Sequence, residues 1–399
     1  MTAEAASACE SIWRAGVAAC LPERVVPPHL PPPPPGRTIL LALGKAAVPM
    51  ARAVEARWLG PLSGLAVAPH GGAATLERIG VITAAHPVPD EASVTAATHL
   101  LALAQNAGPD DLVLVLLSGG ASSLACLPGE RLTLADKQRV TRALLRSGAP
   151  IDEINCVRRH LSRFKGGRLA AAAAPARLVT LAISDVLGDD SAAIGSGPTV
   201  ADPTTVAQAQ AILRRWRVPA PASGWSETRK AVQGDYRIIA SGADALAAAA
   251  AEARRLGYTP LTLESTGEAR DAGHAHATRA LAAPPGTALI SGGELTVTVR
   301  RNGHGGPNCE YALAAALALR GSAVVGLAAD TDGLDGSTGA AGAFFDGATA
   351  AEAAEAKSAL ITNDSAAFFA RRAALFVTGP TGTNVNDLRI LLVPRKKGA

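Results

Sequence analysis

Two acidic runs, several glycine turns and one cationic edge hold most of the side chains able to do chemistry in this sequence. The first run, Ser184-Asp185-Val186-Leu187-Gly188-Asp189-Asp190, leads into Gly195-Ser196-Gly197-Pro198-Thr199. The second is Asp330-Thr331-Asp332-Gly333-Leu334-Asp335-Gly336. Carboxylates in such loops can hold Mg²⁺ or take a proton from a substrate hydroxyl, and Asp189 and Asp332 are the candidate metal ligands. The second run follows part of a calcium loop's spacing but lacks its closing glutamate. It reads as an Mg²⁺ site or as an Asp/Gly turn. Ser118-Gly119-Gly120-Ala121-Ser122 can present backbone amides to a phosphate, and the same residues also make a tight strand-to-helix turn.

Lys45 stands at an expected helix start, the dipole end that disfavours cations. A bound anion would account for it, as would a solvated surface position. Asn155, Arg158, Ser162 and Lys165 recur at helical spacing beside an apolar stripe of Ile154, Val157, Leu161 and Phe164. The polar stripe runs into Lys165-Gly166-Gly167-Arg168. Its cations and donors suit a carboxylate or phosphate; a solvated flank of an amphipathic helix has the same look. His160 reads as a surface or packing residue. Ser291-Gly292-Gly293, Gly303-His304-Gly305-Gly306 and Gly379-Pro380-Thr381-Gly382-Thr383-Asn384 could hug a ligand or serve as turns. Together these parts are what phosphoryl transfer needs, because its catalysis is mainly positioning and charge neutralisation.

The elements that must position them repeat one pattern. A first helix over 5–20 precedes a proline run at 31–35, an extended spacer. Apolar strands are expected at 38–43, 112–117, 178–183, 237–240, 288–290 and 324–328, each stopping at a Gly, Ser or Asp turn. Helices are expected at 45–58, beyond 122 and at 244–256. Continuous apolar strands alternating with helices indicate βα units with parallel strands covered on both faces. Ligands collect at the carboxyl ends of such strands, where the unusual residues lie. The Pro/Gly/Trp-containing stretch between Trp216 and Tyr236 is the expected junction, giving domains 1–235 and 236–399.

At 399 residues, 48% hydrophobic and 18% charged, the chain has material for two packed cores. Its net charge of +4 and scattered basic residues do not suggest a nucleic-acid partner. The one basic block, Arg395-Lys396-Lys397, reads as a solvated end. Five widely spaced cysteines with no CxxC argue against a disulfide framework and a cysteine zinc site. An acidic start and no span of about 20 apolar residues point to a soluble, cytoplasmic protein without a membrane segment. There is no GxxxxGK[ST], no early GxGxxG, no HExxH and no GxSxG.

These residues resemble the class II glycerate 2-kinases, whose C-terminal part is called the MOFRL domain. The matching stretches are Gly44–Ala47, His86–Asp90, Ser118–Ser122, Val157–Arg168, Ser184–Asp190 with Ser196–Thr199, Ser291–Glu294, Ala329–Gly336 and Thr378–Leu388. They occur in family order from about Lys45 to Leu388. The resemblance implies an α/β fold of two domains: a Rossmann-like N-terminal domain with a mostly parallel sheet, and a smaller C-terminal α/β (MOFRL) domain. The active site is expected in the cleft between them. It implies transfer of the γ-phosphoryl of ATP, with Mg²⁺, to the 2-hydroxyl of D-glycerate. Lys45 matches the family's active-site lysine and Asp185 its active-site aspartate. Ser118, Gly119, Gly120 and Ser122, with Gly292, Gly293, Gly305 and Gly306, would contact the nucleotide; the polar stripe, rather than the resemblance, assigns Arg158 and Lys165 to the glycerate carboxylate. Pro307 stands where an arginine is common, leaving Arg300 or Arg301 to substitute, and Gly339 where an aspartate is common.

Because some relatives carry the name hydroxypyruvate reductase, an NAD(P)H-dependent oxidoreductase acting on the same three-carbon acids is the rival reading. The missing GxGxxG with its following acid weighs against it, and paired acidic runs have no obvious part in hydride transfer. A non-catalytic metabolite-binding protein would keep the glycine turns but need no acidic pairs. A homo-oligomer is compatible with every reading.

Overall fold

The computed structural model describes residues 1–71 and 75–395, so Lys396 and Lys397 of the basic tail lie outside the described residues. The chain divides into two compact units, Pro22–Ile239 and Ala240–Ala399 together with Met1–Leu21. Among the described residues no helix is long and apolar enough to cross a membrane.

The Pro22–Ile239 unit is built on a six-stranded sheet: β1 Thr38–Leu43, β2 Leu62–Pro69, β3 Ile79–Ala84, β4 Leu112–Leu117, β5 Arg177–Ile183 and β6 Asp235–Ala240. Their spatial order is β3-β2-β1-β4-β5-β6, and the pairs among β1 to β5 are parallel. This is the strand order of the nucleotide-binding α/β sheets, whose ligands sit where the order reverses. The sequences TILLAL and LVLVLL of β1 and β4 are buried at every position, as strands covered on both faces must be. Leu43 pairs with Leu117, and Leu117 with Ala182, so the carboxyl ends of β1, β4 and β5 lie side by side.

The expected junction between Trp216 and Tyr236 lies inside this unit and leads into β6, and the division falls at Ala240. Two expectations change. The polar stripe at 155–165 has the spacing of one helix; the helix is Ile151–His160, capped at Leu161. The Ser162 hydroxyl takes the amides of Phe164 and Lys165, and Gly166 and Gly167 adopt φ of 60° and 75°, which ends helical pairing. The βα pattern also predicts parallel pairing for the later strands, but the second sheet is mixed.

That sheet comprises β7 Thr259–Glu264, β8 Thr287–Gly292, β9 Val325–Asp330, β10 Gly342–Asp346, β11 Leu375–Phe376 and β12 Asp387–Leu392, in the order β11-β10-β9-β12-β8-β7. Only β7 and β8 pair in parallel; β12 runs antiparallel to β8 and β9, and β10 to β9 and β11. The first helix, Ala3–Ala19, belongs to this unit. Gly16 comes so close to the helix Gly242–Arg255 that a Cβ would sit 2.9 Å from the Ala245 carbonyl oxygen. Trp13 is 1% exposed, donates from Nε1 to the Ala329 carbonyl at 3.4 Å, and meets Phe376 edge to face at 5.0 Å.

A buried aromatic anchor of this kind predicts that Trp13→Ala destabilises the unit by roughly 3–5 kcal/mol in urea unfolding, whereas a loss below about 1 kcal/mol would show that the first helix adds little to that core.

Candidate functional site

β1 gives way to Gly44-Lys45, β4 to Ser118-Gly119-Gly120 and β5 to Ser184-Asp185. Gly44 has φ +126°, and a Cβ there would strike the Ser118 hydroxyl. The Lys45 amide donates to the Gly119 carbonyl at 2.8 Å and the Ala46 amide to Ser118 Oγ at 3.0 Å. The loops after β1 and β4 are therefore tied at the point where strand order reverses. Within the turn, the Gly119 and Gly120 amides donate no hydrogen bond among the described residues. Gly120 has φ +83°; a Cβ on it would lie 3.0 Å from the His86 ring and 3.5 Å from Lys45 Cγ. Open amides, a lysine and a histidine thus converge on one glycine, and only glycine leaves room for a ligand's approach. Asp185 lies at the end of the next strand, half-buried.

The cationic edge reaches the same turn. Arg158 donates to Ser122 Oγ at 2.6 Å and Asn155 Oδ1 at 3.3 Å, and Ser122 Oγ also bonds Ser196 Oγ at 2.9 Å. Lys165 is fully buried, and its ammonium donates to the Ser122 and Ala125 carbonyls at 2.7 and 3.2 Å. Burial, with Arg158 and Lys137 nearby, holds the Lys165 amine well below the usual lysine range. Arg158 faces outward in part, while Lys165 braces the turn from behind. His160 is buried as a packing residue, bonded to the Cys156 and Thr204 carbonyls.

Sequence reasoning missed Lys137, which occupies the buried stripe Lys137, Val140, Leu144 of the helix Leu134–Ser147. A lysine at an apolar-stripe position was the available signal. It also gave no role to Asp90, which takes His70 Nε2 at 2.9 Å and the amides of Ala85 and Ser93. Burial works against its charge, but those bonds hold it at about 2.

In the Ala240–Ala399 unit, the glycine turns are packed by their own surroundings. A Cβ on Gly305 would lie 2.6 Å from Ser365 Oγ, one on Gly306 would strike the Asp335 carboxylate, and one on Gly293 the Ser265 carbonyl. The Gly292 and Gly293 carbonyls accept from the buried Arg389, which also pairs with Asp387. Arg300 and Arg301 are exposed, and their amides are held by Asn363 Oδ1. Pro307 is the first residue of the helix Pro307–Ala318, and Asp335 accepts the next two amides, Asn308 at 2.9 Å and Cys309 at 2.8 Å.

Among the described residues, no three His, Cys, Asp or Glu side chains gather as a metal site. Asp335 is a helix cap, and Asp332 Oδ1 accepts the Leu334 amide at 2.8 Å. Asp189, at φ +55° in the loop after β5, makes no side-chain bond among the described residues and is half-buried. Its carboxylate fits a hard cation, which needs only one or two protein carboxylates when phosphates supply the remaining oxygens.

A family model described as a domain of unknown function, DUF4147, matches residues 8–229, and the MOFRL family matches 287–387. A protein of Agrobacterium vitis, provisionally named a hydroxypyruvate reductase, is 46% identical, covering 96% of this chain and 93% of its own. The D-glycerate 2-kinase of Thermotoga maritima is 40% identical, covering 96% and 97%. The crystal structure of a glycerate kinase from Thermotoga maritima superposes with a TM-score of 0.88 at 38% identity, covering 97% of this chain and 99% of that one.

The Asp335 cap has a measurable pH signature. Burial raises its carboxyl to about 6, against the pull of the Cys309 and Asn308 hydrogen bonds. A carboxyl raised on folding contributes stability below its unfolded value, and that contribution is lost as pH rises through about 6. Wild type minus Asp335→Asn stability should therefore fall between about pH 4 and pH 6, measured by thermal unfolding. His276, brought to about 4 by burial and by the charge of Arg389, slopes the other way in both proteins and cancels. A difference that stays flat across the window would refute the assignment.

Proposed function

The chain belongs to the family in which a DUF4147 region is followed by a MOFRL region, that of the glycerate 2-kinases, and on that premise we propose that it moves the γ-phosphoryl group of ATP to the 2-hydroxyl of D-glycerate, giving 2-phosphoglycerate. The observation carrying this reading is the pair of open amides at Gly119 and Gly120 beside Lys45, where the strand order reverses. Anions are held at such points by backbone N–H groups and a cation. In this reading Ser118, Gly119, Gly120 and Ser122 cradle phosphate, and Lys45 neutralises the transferring phosphoryl oxygens. Asp185 orients the 2-hydroxyl and takes its proton. Arg158 receives the carboxylate, while Lys165 holds the Ser122 turn that presents Arg158. Contacts from Gly292, Gly293, Gly305 and Gly306 to the nucleotide would run through backbone, since their Cα atoms lie against packed neighbours or carry bound carbonyls.

Mg²⁺, when bound, neutralises phosphate charge. Asp189 is the first candidate to hold it and Asp332 the second, with the latter's Oδ1 already engaged.

The rival reading draws on the Agrobacterium relative's name. Against it, the first βα turn is Gly44-Lys45-Ala46 rather than GxGxxG, and β2 ends at Pro69-His70 rather than at the acid that binds a dinucleotide ribose. The deciding experiment gives purified protein D-glycerate, ATP and Mg²⁺, beside hydroxypyruvate with NADH or NADPH. Formation of 2-phosphoglycerate without nucleotide oxidation supports the kinase, and the reverse supports the reductase.

Lys45→Ala is expected to lower kcat by about 10²–10³, the scale of removing one preorganised charge-stabilising group, with the fold retained by circular dichroism. Near-wild-type turnover would remove its role. Asp185→Asn should lower the rate by about a hundredfold, within the range of general-base loss. Unchanged turnover together with unchanged Mg²⁺ dependence would rule out the acidic assignment.

A further inference from the structure

The helix Leu134–Ser147 buries a lysine where an apolar residue would ordinarily pack. Lys137 is 4% exposed, and its ammonium donates to the Leu161 carbonyl at 3.0 Å. An ammonium has three donors, and among the described residues Lys137 places just this one. Lys165, four residues beyond Leu161, is buried too and spends its bonds on the Ser122 and Ala125 carbonyls. Arg158 completes the group through Ser122 Oγ. The three act on one another electrostatically, and among the described residues no carboxylate pairs with any of them. The ionisable groups facing Lys137 are Cys126, Arg158, Arg168 and Lys165. Buried cations without a counter-charge are costly to keep. They become favourable when an anion arrives.

Building on the kinase reading, we propose that Lys137 is a specificity-determining residue for acid substrates: with Lys165 it gives Arg158 a buried cationic backing that favours a carboxylate-bearing hydroxy acid over the uncharged compound of the same shape. Lys137 acts through Arg158 and the Ser122 turn, without touching the substrate. Its effect must therefore follow the substrate's charge rather than its shape.

The test is calorimetric binding of D-glycerate and of its uncharged amide, D-glyceramide, to wild type and to Lys137→Met. The variant should weaken glycerate about tenfold while glyceramide stays within about twofold, the scale of one unit charge acting across a partly screened distance. Equal losses for both ligands would mean Lys137 only holds the fold, and no loss for either would mean its charge is not felt; both outcomes overturn the proposal. Should the variant fail to fold, wild type alone decides. Burial brings the Lys137 amine down to about 8, so glycerate affinity should fall as pH rises through about 8 while glyceramide affinity does not. Parallel profiles would overturn it. If selectivity depends on Lys137 but no 2-phosphoglycerate forms, the kinase reading fails alone. If product forms but Lys137→Met leaves selectivity intact, this inference fails alone.

Discussion

Strands β1 and β4 end so close together that a side chain at residue 44 would strike Ser118, and the arrangement of both loops that follow them depends on that closeness. With Gly44 in place, the Lys45 amide reaches the Gly119 carbonyl and the Ala46 amide reaches the Ser118 hydroxyl. Two loops from neighbouring strands become one rigid platform. The same tie uses carbonyl and hydroxyl acceptors and leaves the Gly119 and Gly120 amides pointing at nothing among the described residues. Unsatisfied donors are a cost to an isolated protein. They are an asset where a phosphate completes them.

The opposite side of the platform is held by charge. Lys165 crosses from its glycine turn to the Ser122 and Ala125 carbonyls, fixing the short helix that carries Ser122. Arg158 and Ser196 then set the Ser122 hydroxyl. Such a concentration of cations without carboxylates runs against local stability, and proteins keep arrangements of that kind where function needs them. Rigid supports for a small number of polar groups are what phosphoryl transfer exploits, since its rate comes from alignment and charge balance.

Much of this was legible in the sequence for physical reasons. β1 and β4 announced themselves as unbroken apolar runs because both of their faces are covered, Lys45 stood out because a helix start disfavours a cation, and Ser118–Gly120 because such a turn can present backbone amides to an anion. Arg158 and Lys165 were found through a helical spacing that the chain does not follow past Leu161. They converge on Ser122 because the Ser162 turn folds Lys165 back toward it. Strands such as β2, β3 and β7 have shorter buried stretches and mixed polarity, so periodicity gave them away poorly. The antiparallel pairing of β12 with β8 and β9 depends on contacts distant in sequence, which local pattern does not encode. The acidic run at 330–336 reads from sequence as an Mg²⁺ site or an Asp/Gly turn, and its Asp335 caps a helix, because carboxylates serve all these purposes with the same short spacing.

The replacement of an expected arginine by Pro307 is best understood from the helix that begins there. Proline suits a first helical position, where its missing N–H would have had no partner and its φ is already helical. Asp335 takes the amides at the next two positions, so the helix start is complete without a cation at 307. What proline removes is a charge, leaving the scaffold intact. Arg300 and Arg301 remain exposed on a stretch anchored through backbone amides by Asn363, and among the described residues their guanidinium groups make no hydrogen bond. Charge neutralisation in phosphoryl transfer is shared among several cations rather than vested in one. In the proposed reading Lys45 and Arg158 supply such cations from the first unit, with Arg158 held against Ser122 Oγ, so a proline at 307 removes one contribution among several.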